Sequence, residues 1–159
     1  GIRAFFACPG GYARGTFELS FPLAIFAPMS THALPRTVVK TPLAPAAIGP
    51  YNQAILVGDV LHCSGQIPID PKTGSVISGT IEQETEQVLE NLGAVLRAAG
   101  LDYGHVVRCT VYMTDMNDYG QINEVYGRYF NETPPAREAV AVAALPRNVR
   151  IEVSCVAVR

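Results

Sequence analysis

Near the C-terminus, an arginine and a glutamate have the chemistry to handle a small carboxylate. The run from Thr133 to Val158, TPPAREAVAVAALPRNVRIEVSCVAV, puts Arg137 at the mouth of an apolar strand and Glu152 inside the next. A guanidinium is planar, permanently charged and forked, and so grips a carboxylate through two parallel hydrogen bonds. A glutamate beside it orients a water or exchanges a proton with a substrate. The pair is also compatible with ordinary surface charges, or with two residues paired to each other, which contributes little when exposed.

The elements that must position them can be read from the same run. Pro134 and Pro135 lack a backbone N–H and force extended geometry, so Arg137 begins a strand with a rigid approach. Ala139 to Leu145 is almost wholly apolar, Pro146-Arg147-Asn148 interrupts it, and Val149 to Ala157 resumes with a period of two, which predicts a hairpin. In its second strand Val149, Ile151, Val153, Cys155 and Ala157 share one face, leaving Arg150, Glu152 and Ser154 on the other.

Upstream, Lys40 to Tyr51 carries three prolines and a glycine and runs extended or turned, ending in the phenol of Tyr51. Ala54–Val57 and Val60–Ser64 flank Gly58-Asp59 and predict a tight hairpin. Ser64-Gly65-Gln66 closes it, with a glycine that either marks a strand end or admits a ligand or another backbone. A turn over 70–74 and a short strand near Val76 follow. Thr80 with Gln83 forms a capping box, opening a helix with Ile81, Thr85, Val88, Leu89, Leu92, Val95, Leu96 and Ala99 as its buried stripe and Gly100 as its stop. Glu82, Glu86, Glu90 and Arg97 make its solvated face.

His105 to Met113 alternates as a half-buried strand, with Val107, Cys109, Val111 and Met113 inward. A second helix spans about Tyr119 to Phe130, capped by Asn117 or Asp118, with Asn123 interrupting its stripe. That amide is either tied to backbone or aimed at a site. Strand, strand, short strand, helix, strand, helix, strand, strand predicts a two-layer α+β domain, a mixed sheet with both helices on one face. The other face carries Val140 and Val142 beside Glu152 and Ser154, too apolar for water alone, and is expected to meet another subunit.

Length and composition set the outer limits. The chain has 159 residues and is 48% hydrophobic, which predicts one domain with a substantial core. A formal charge of −2 and a pI near 5.9 provide no basic field to attract nucleic acid or an anionic membrane. Cys8, Cys63, Cys109 and Cys155 are scattered without metal-ligand spacing and read as reduced thiols of an intracellular protein, so no metal site is expected from them. Residues 1–36 form a leader or tail, with Arg3 and Arg14 against Glu18 alone, while Met29 before Ser30-Thr31-His32 also fits a start preceded by extra sequence. Its apolar patch is too short to span a bilayer. The expected compartment is the cytoplasm, or a mitochondrion or plastid if the leader is a targeting segment.

Five short segments in order, APAAIGPYNQA (44–54), CSGQIP (63–68), NEVYGRYF (123–130), PAR (135–137) and RIEV (150–153), resemble the Rid family of reactive-intermediate imine deaminases, RidA subgroup. The resemblance covers residues 37–159. It implies a chorismate-mutase-like homotrimer with sites in clefts between subunits. It also implies hydrolysis of 2-iminobutanoate and 2-iminopropanoate to 2-oxo acids and ammonia without metal or cofactor. By position, Arg137 would grip the substrate carboxylate, Tyr51 and Glu152 would flank the imine and its attacking water, and Asn123, Ser64 and Gly65 would line the pocket. Some bacterial relatives carry a cysteine where this chain has Ala139, and relatives often have a small residue where it has Glu138, a charge that alternation should turn away from Arg137. Two other readings compete: a translation inhibitor with endoribonuclease activity, opposed by the acidic pI, and a holdase or small-ligand-binding trimer without chemistry.

Overall fold

Small and branched residues at every second position make β6 (Ile151–Val158) a strand with one fully buried face. Ile151, Val153, Cys155 and Ala157 are buried, and Glu152, Ser154, Val156 and Val158 are half-buried opposite them. The computed structural model describes residues 34–159, and the expectations for Cys8, Met29 and the rest of residues 1–33 fall outside the described residues. It sets β6 in the interior of a six-stranded sheet of order β1 (Arg36–Val39), β2 (Ala54–Val57), β3 (Val60–Gln66), β6, β4 (Val106–Met113), β5 (Ala136–Ala141). Neighbours are antiparallel except β4 and β5. Two helices, α1 (Ile81–Ala98) and α2 (Tyr119–Tyr129), pack on one face, which makes this the expected two-layer α+β fold.

The hairpin expected between the last two strands does not form. β5 pairs in parallel with β4, reached through α2, while β6 inserts between β3 and β4. The interruption at 146–148 is a 3-10 turn in which Arg147 and Asn148 both have φ +57°, and it carries the chain to a different edge of β4. A parallel strand needs such a crossover, and an apolar run is as suited to that place as to a hairpin.

α1 forms as its sequence requires. Thr80 and Gln83 make the capping box, the apolar stripe is buried, and Gly100 takes φ +75° just past the helix. Leu89, Leu92, Leu96, Met113, Ile122 and Ile151 lie fully buried between the layers, each stabilising the fold by about 1.5–3 kcal/mol. Besides Thr85 of the stripe, two polar residues of α1 are buried, which the periodicity does not show. Asn91 donates to the Ile67 and Ile69 carbonyls at 3.1 and 2.9 Å, fixing the chain after β3. Glu84 accepts from Arg150 at 2.8 Å, and Arg150 also donates to the Gly79 carbonyl at 2.7 Å. Arg150 therefore reaches the helix layer instead of sharing a face with Glu152, because it precedes the first residue of the strand and escapes its alternation.

Two further differences are local. A bulge between Val106 and Arg108 gives the inward place to Val106 and leaves Val107 half exposed, while Cys109, Val111 and Met113 stay inward as expected. β1 pairs with β2 from Arg36↔Val57 to Val39↔Ala54, a strand that lies partly within the segment read as a tail. Near Val76 there is a single bridge to Ile69, and Gly58 at φ +56° makes the β2–β3 turn.

Candidate active site in two halves

One half is built around Arg137. The residue sits on β5 opposite Cys109 of β4 and points into the helix layer, where α2 presents three side chains to it. Its Nη1 donates to Asn123 Oδ1 at 2.7 Å and its Nη2 to the Tyr119 hydroxyl at 3.0 Å. The guanidinium carbon lies 4.7 Å from the Tyr126 ring centroid and 5.6 Å from that of Tyr119. Positions 119, 123 and 126 fall on one side of a helix, so one element supplies the whole cradle. Asn123 therefore holds the arginine and is not tied to backbone. Tyr126 is buried, its hydroxyl beside the Cys109 thiol without a nitrogen or oxygen partner, and burial raises its pKa above the ordinary phenol range.

Every partner of Arg137 is neutral. Arg108 is paired with Glu138 and Arg150 with Glu84, but among the described residues no carboxylate lies within ion-pair distance of Arg137. Two of its five N–H groups are engaged by the neighbours, which leaves enough donors for a carboxylate fork. Glu138 turns to the other face, as alternation requires, and binds Arg108 at 2.6 Å, so it does not compete for this charge.

The second half gathers Tyr51, Ser64, Gly65 and Glu152. Gln53 is buried and organises it. The Gln53 amide nitrogen donates to the Thr41, Ala44 and Pro45 carbonyls at 3.0, 3.1 and 2.7 Å, and its oxygen accepts from the Thr41 N–H at 2.7 Å. One side chain thereby folds the proline-rich loop that ends at Tyr51. Ser64 adds a second tie, its hydroxyl donating to the Asn52 carbonyl at 2.6 Å. Tyr51 is 45% exposed, and its hydroxyl accepts from the Ile48 N–H at 3.3 Å. Tyr51 and Gly65 line one small hollow together with Ile48, Gln53, Gln66 and Ile67.

Glu152 lies against Gly65. A Cβ added to Gly65 would stand 2.6 Å from Glu152 Cδ and 2.9 Å from its Cγ, so the carboxylate occupies the place of a side chain. The irregular pairing between Cys63 and Gln66 is the bulge that allows this approach. Burial raises the pKa of the Glu152 carboxyl, because desolvation disfavours its charged form.

Within one chain the halves do not meet. Arg137 registers with Cys109 and Cys109 with Cys155, all on the helix side, whereas Glu152 registers with Tyr112, three residues on, and faces the opposite way. The first half contains Arg137 and Asn123, and the second Tyr51, Ser64, Gly65 and Glu152. Sequence reasoning missed Tyr119, Tyr126 and Gln53. The helical spacing 119, 123, 126 around a known Asn123 could have pointed to the two tyrosines. A larger cavity of about 220 Å³, lined by His62, Arg108, Thr110 and Ser154 among others, contains none of the six expected residues.

Residues 41–159 match the family described as Endoribonuclease L-PSP. The mouse 2-iminobutanoate/2-iminopropanoate deaminase is 48% identical over 124 residues, covering 78% of this chain and 92% of the relative. A crystal structure of a putative endoribonuclease from Thermotoga maritima is 54% identical with a TM-score of 0.76, covering 77% of this chain and 97% of the other. Escherichia coli TdcF, solved with bound serine, is 42% identical with a TM-score of 0.75, covering 77% and 98%. With this fold and these matches, the chain belongs to the Rid (YjgF/L-PSP) family.

Proposed function

We propose that this protein hydrolyses small 2-imino acids, 2-iminobutanoate and 2-iminopropanoate, to the corresponding 2-oxo acids and ammonia. The observation that carries the reading is the neutral setting of Arg137, an arginine fixed by an amide, a phenol and an aromatic face with no carboxylate among the described residues beside it. Such a group is prepared for an anion supplied from outside. The mouse relative is named for this deamination, and serine, the ligand of TdcF, carries nitrogen and carboxylate on one carbon as a 2-imino acid does.

The reading requires a second copy of the chain. Arg137 and Glu152 face opposite ways in one subunit, so a complete site joins the Arg137 half of one copy to the Glu152 half of the next, in the homotrimer expected for this family. The arginine fork holds the carboxylate and thereby sets the imine carbon. A protonated imine is already a strong electrophile, so the protein's contribution is positioning, one water and a route for protons. Glu152 takes a proton as water adds to the imine carbon. It returns that proton to the nitrogen of the tetrahedral adduct. As the C–N bond breaks and ammonia leaves, Glu152 takes the proton of the new hydroxyl, which leaves the 2-oxo acid and lets the released ammonia depart as ammonium. Tyr51 lines the hollow next to Gly65, the residue that Glu152 lies against, and would flank the imine from there.

Ammonia release from an imine generated in place by a dehydratase tests the reading. The parent accelerates it, and Arg137→Ala loses about 100-fold or more, corresponding to about 3 kcal/mol of transition-state binding. A folded oligomer without acceleration overturns the proposal. The family's description as Endoribonuclease L-PSP supports a second reading, RNA cleavage, and RNA degradation that persists in Arg137→Ala would favour it.

A further inference from the structure

We propose that the Tyr119 hydroxyl is a substrate-binding group that donates a hydrogen bond to the carboxylate held by Arg137. The inference rests on the deaminase reading and assigns that site a third donor. Tyr119 is the first residue of α2, and its ring and hydroxyl both address Arg137. The hydroxyl accepts from Arg137 Nη2 at 3.0 Å, which commits an oxygen lone pair and leaves the phenolic proton to be donated. No acceptor within the described residues takes that proton, and the residue is 37% exposed, on the accessible side of the arginine, whereas Tyr126 beneath the guanidinium is 6% exposed.

The two tyrosines therefore divide the work. Tyr126 gives Arg137 a fixed aromatic floor, while Tyr119 places a polarised O–H at its rim. A hydroxyl that accepts from a cation is a better donor than a free phenol, because the accepted bond draws charge from its oxygen. A carboxylate seated on the remaining Arg137 donors has further lone pairs, and the Tyr119 proton lies within reach of that anion. Asn123, whose oxygen accepts on the other side of the guanidinium, keeps its NH₂ group for the same ligand or for water.

The experiment is competition by 2-oxobutanoate, a stable carboxylate of the product class, together with steady-state ammonia release. It uses the full chain, Tyr119→Phe and Arg137→Ala. Tyr119→Phe keeps the ring on the arginine and removes only the hydroxyl. It is expected to weaken 2-oxobutanoate binding and raise KM by about fivefold to tenfold, with kcat and melting temperature little changed. A loss confined to kcat, or 2-oxobutanoate binding equal to that of the parent while Arg137→Ala abolishes it, overturns the role of Tyr119 and leaves the deaminase reading standing. If Arg137→Ala binds 2-oxobutanoate as the parent does, the carboxylate seat is elsewhere and both readings fail together.

Discussion

Glu152 and Gly65 share one volume: the carboxyl end of the glutamate stands where any other residue at position 65 would carry its Cβ. Gly65 has no positive φ, so its requirement is steric and not conformational. Gly65→Ala should force the Glu152 side chain into another rotamer, at small cost to the fold. We expect ammonia release to fall by about 100-fold, the scale of misplacing a reacting group by an ångström, with a melting temperature within a few degrees of the parent. Retention of full activity by a folded Gly65→Ala protein would remove Glu152 from the chemistry.

Burial of the Glu152 carboxyl also makes a pH prediction. Its folded-state pKa is raised by desolvation, so the stability linked to it is complete below the ordinary carboxylate range and is lost as pH rises through the raised value. Glu152→Gln removes the titration. Thermal melts from about pH 4 to about pH 7 should show the variant gaining on the parent as pH increases. A constant difference across that range would mean that the carboxyl is not held in a dry site.

Gln53 joins the core to the loop that carries Tyr51, with four hydrogen bonds from one buried amide. Gln53→Leu leaves the Thr41, Ala44 and Pro45 carbonyls without that donor. A stability loss of about 2–3 kcal/mol is expected by denaturant unfolding, together with faster proteolysis inside 41–51. Activity should fall with it, since Tyr51 loses its support. Unchanged proteolysis would show that the prolines alone hold the loop.

The two arginine–glutamate pairs should behave differently. Glu84 is 7% exposed and Arg150 reaches it from the strand end, so Arg150→Met strands a buried carboxylate at a cost of about 2–4 kcal/mol. Arg108 and Glu138 are both half exposed, and Arg108→Met should change stability little. Unfolding curves of the two variants measure the contrast, and equal losses would contradict it.

Structure that is decided locally is legible in the sequence. The Thr80–Gln83 capping box, the Gly58 turn and the inward face of β6 each depend on residues within a few positions of one another. Strand order does not. Whether Ala136–Ala141 pairs with β6 or β4 is settled by packing over the whole sheet, and an apolar run is compatible with both. The bulge at Val106/Arg108 hides for a related reason, since one extra residue shifts the alternation without leaving a composition signal. Arg137, Asn123, Tyr51, Ser64, Gly65 and Glu152 were legible as candidates through their motifs. Their division between two faces follows only from register, and the neutrality of the Arg137 cradle only from side-chain geometry.

Cys63, Cys155 and Cys109 occupy one row across β3, β6 and β4, in register and buried under the helices. Burial pushes the Cys109 thiol up to about 11, and the Cys63 thiol together with burial holds Cys155 above the ordinary thiol range. Thiols so protected react with an alkylating reagent only when the sheet itself opens. The row is therefore a built-in clock for the core: its labelling rate, read by mass, reports the opening of the central strands in the unmodified protein, with no probe introduced.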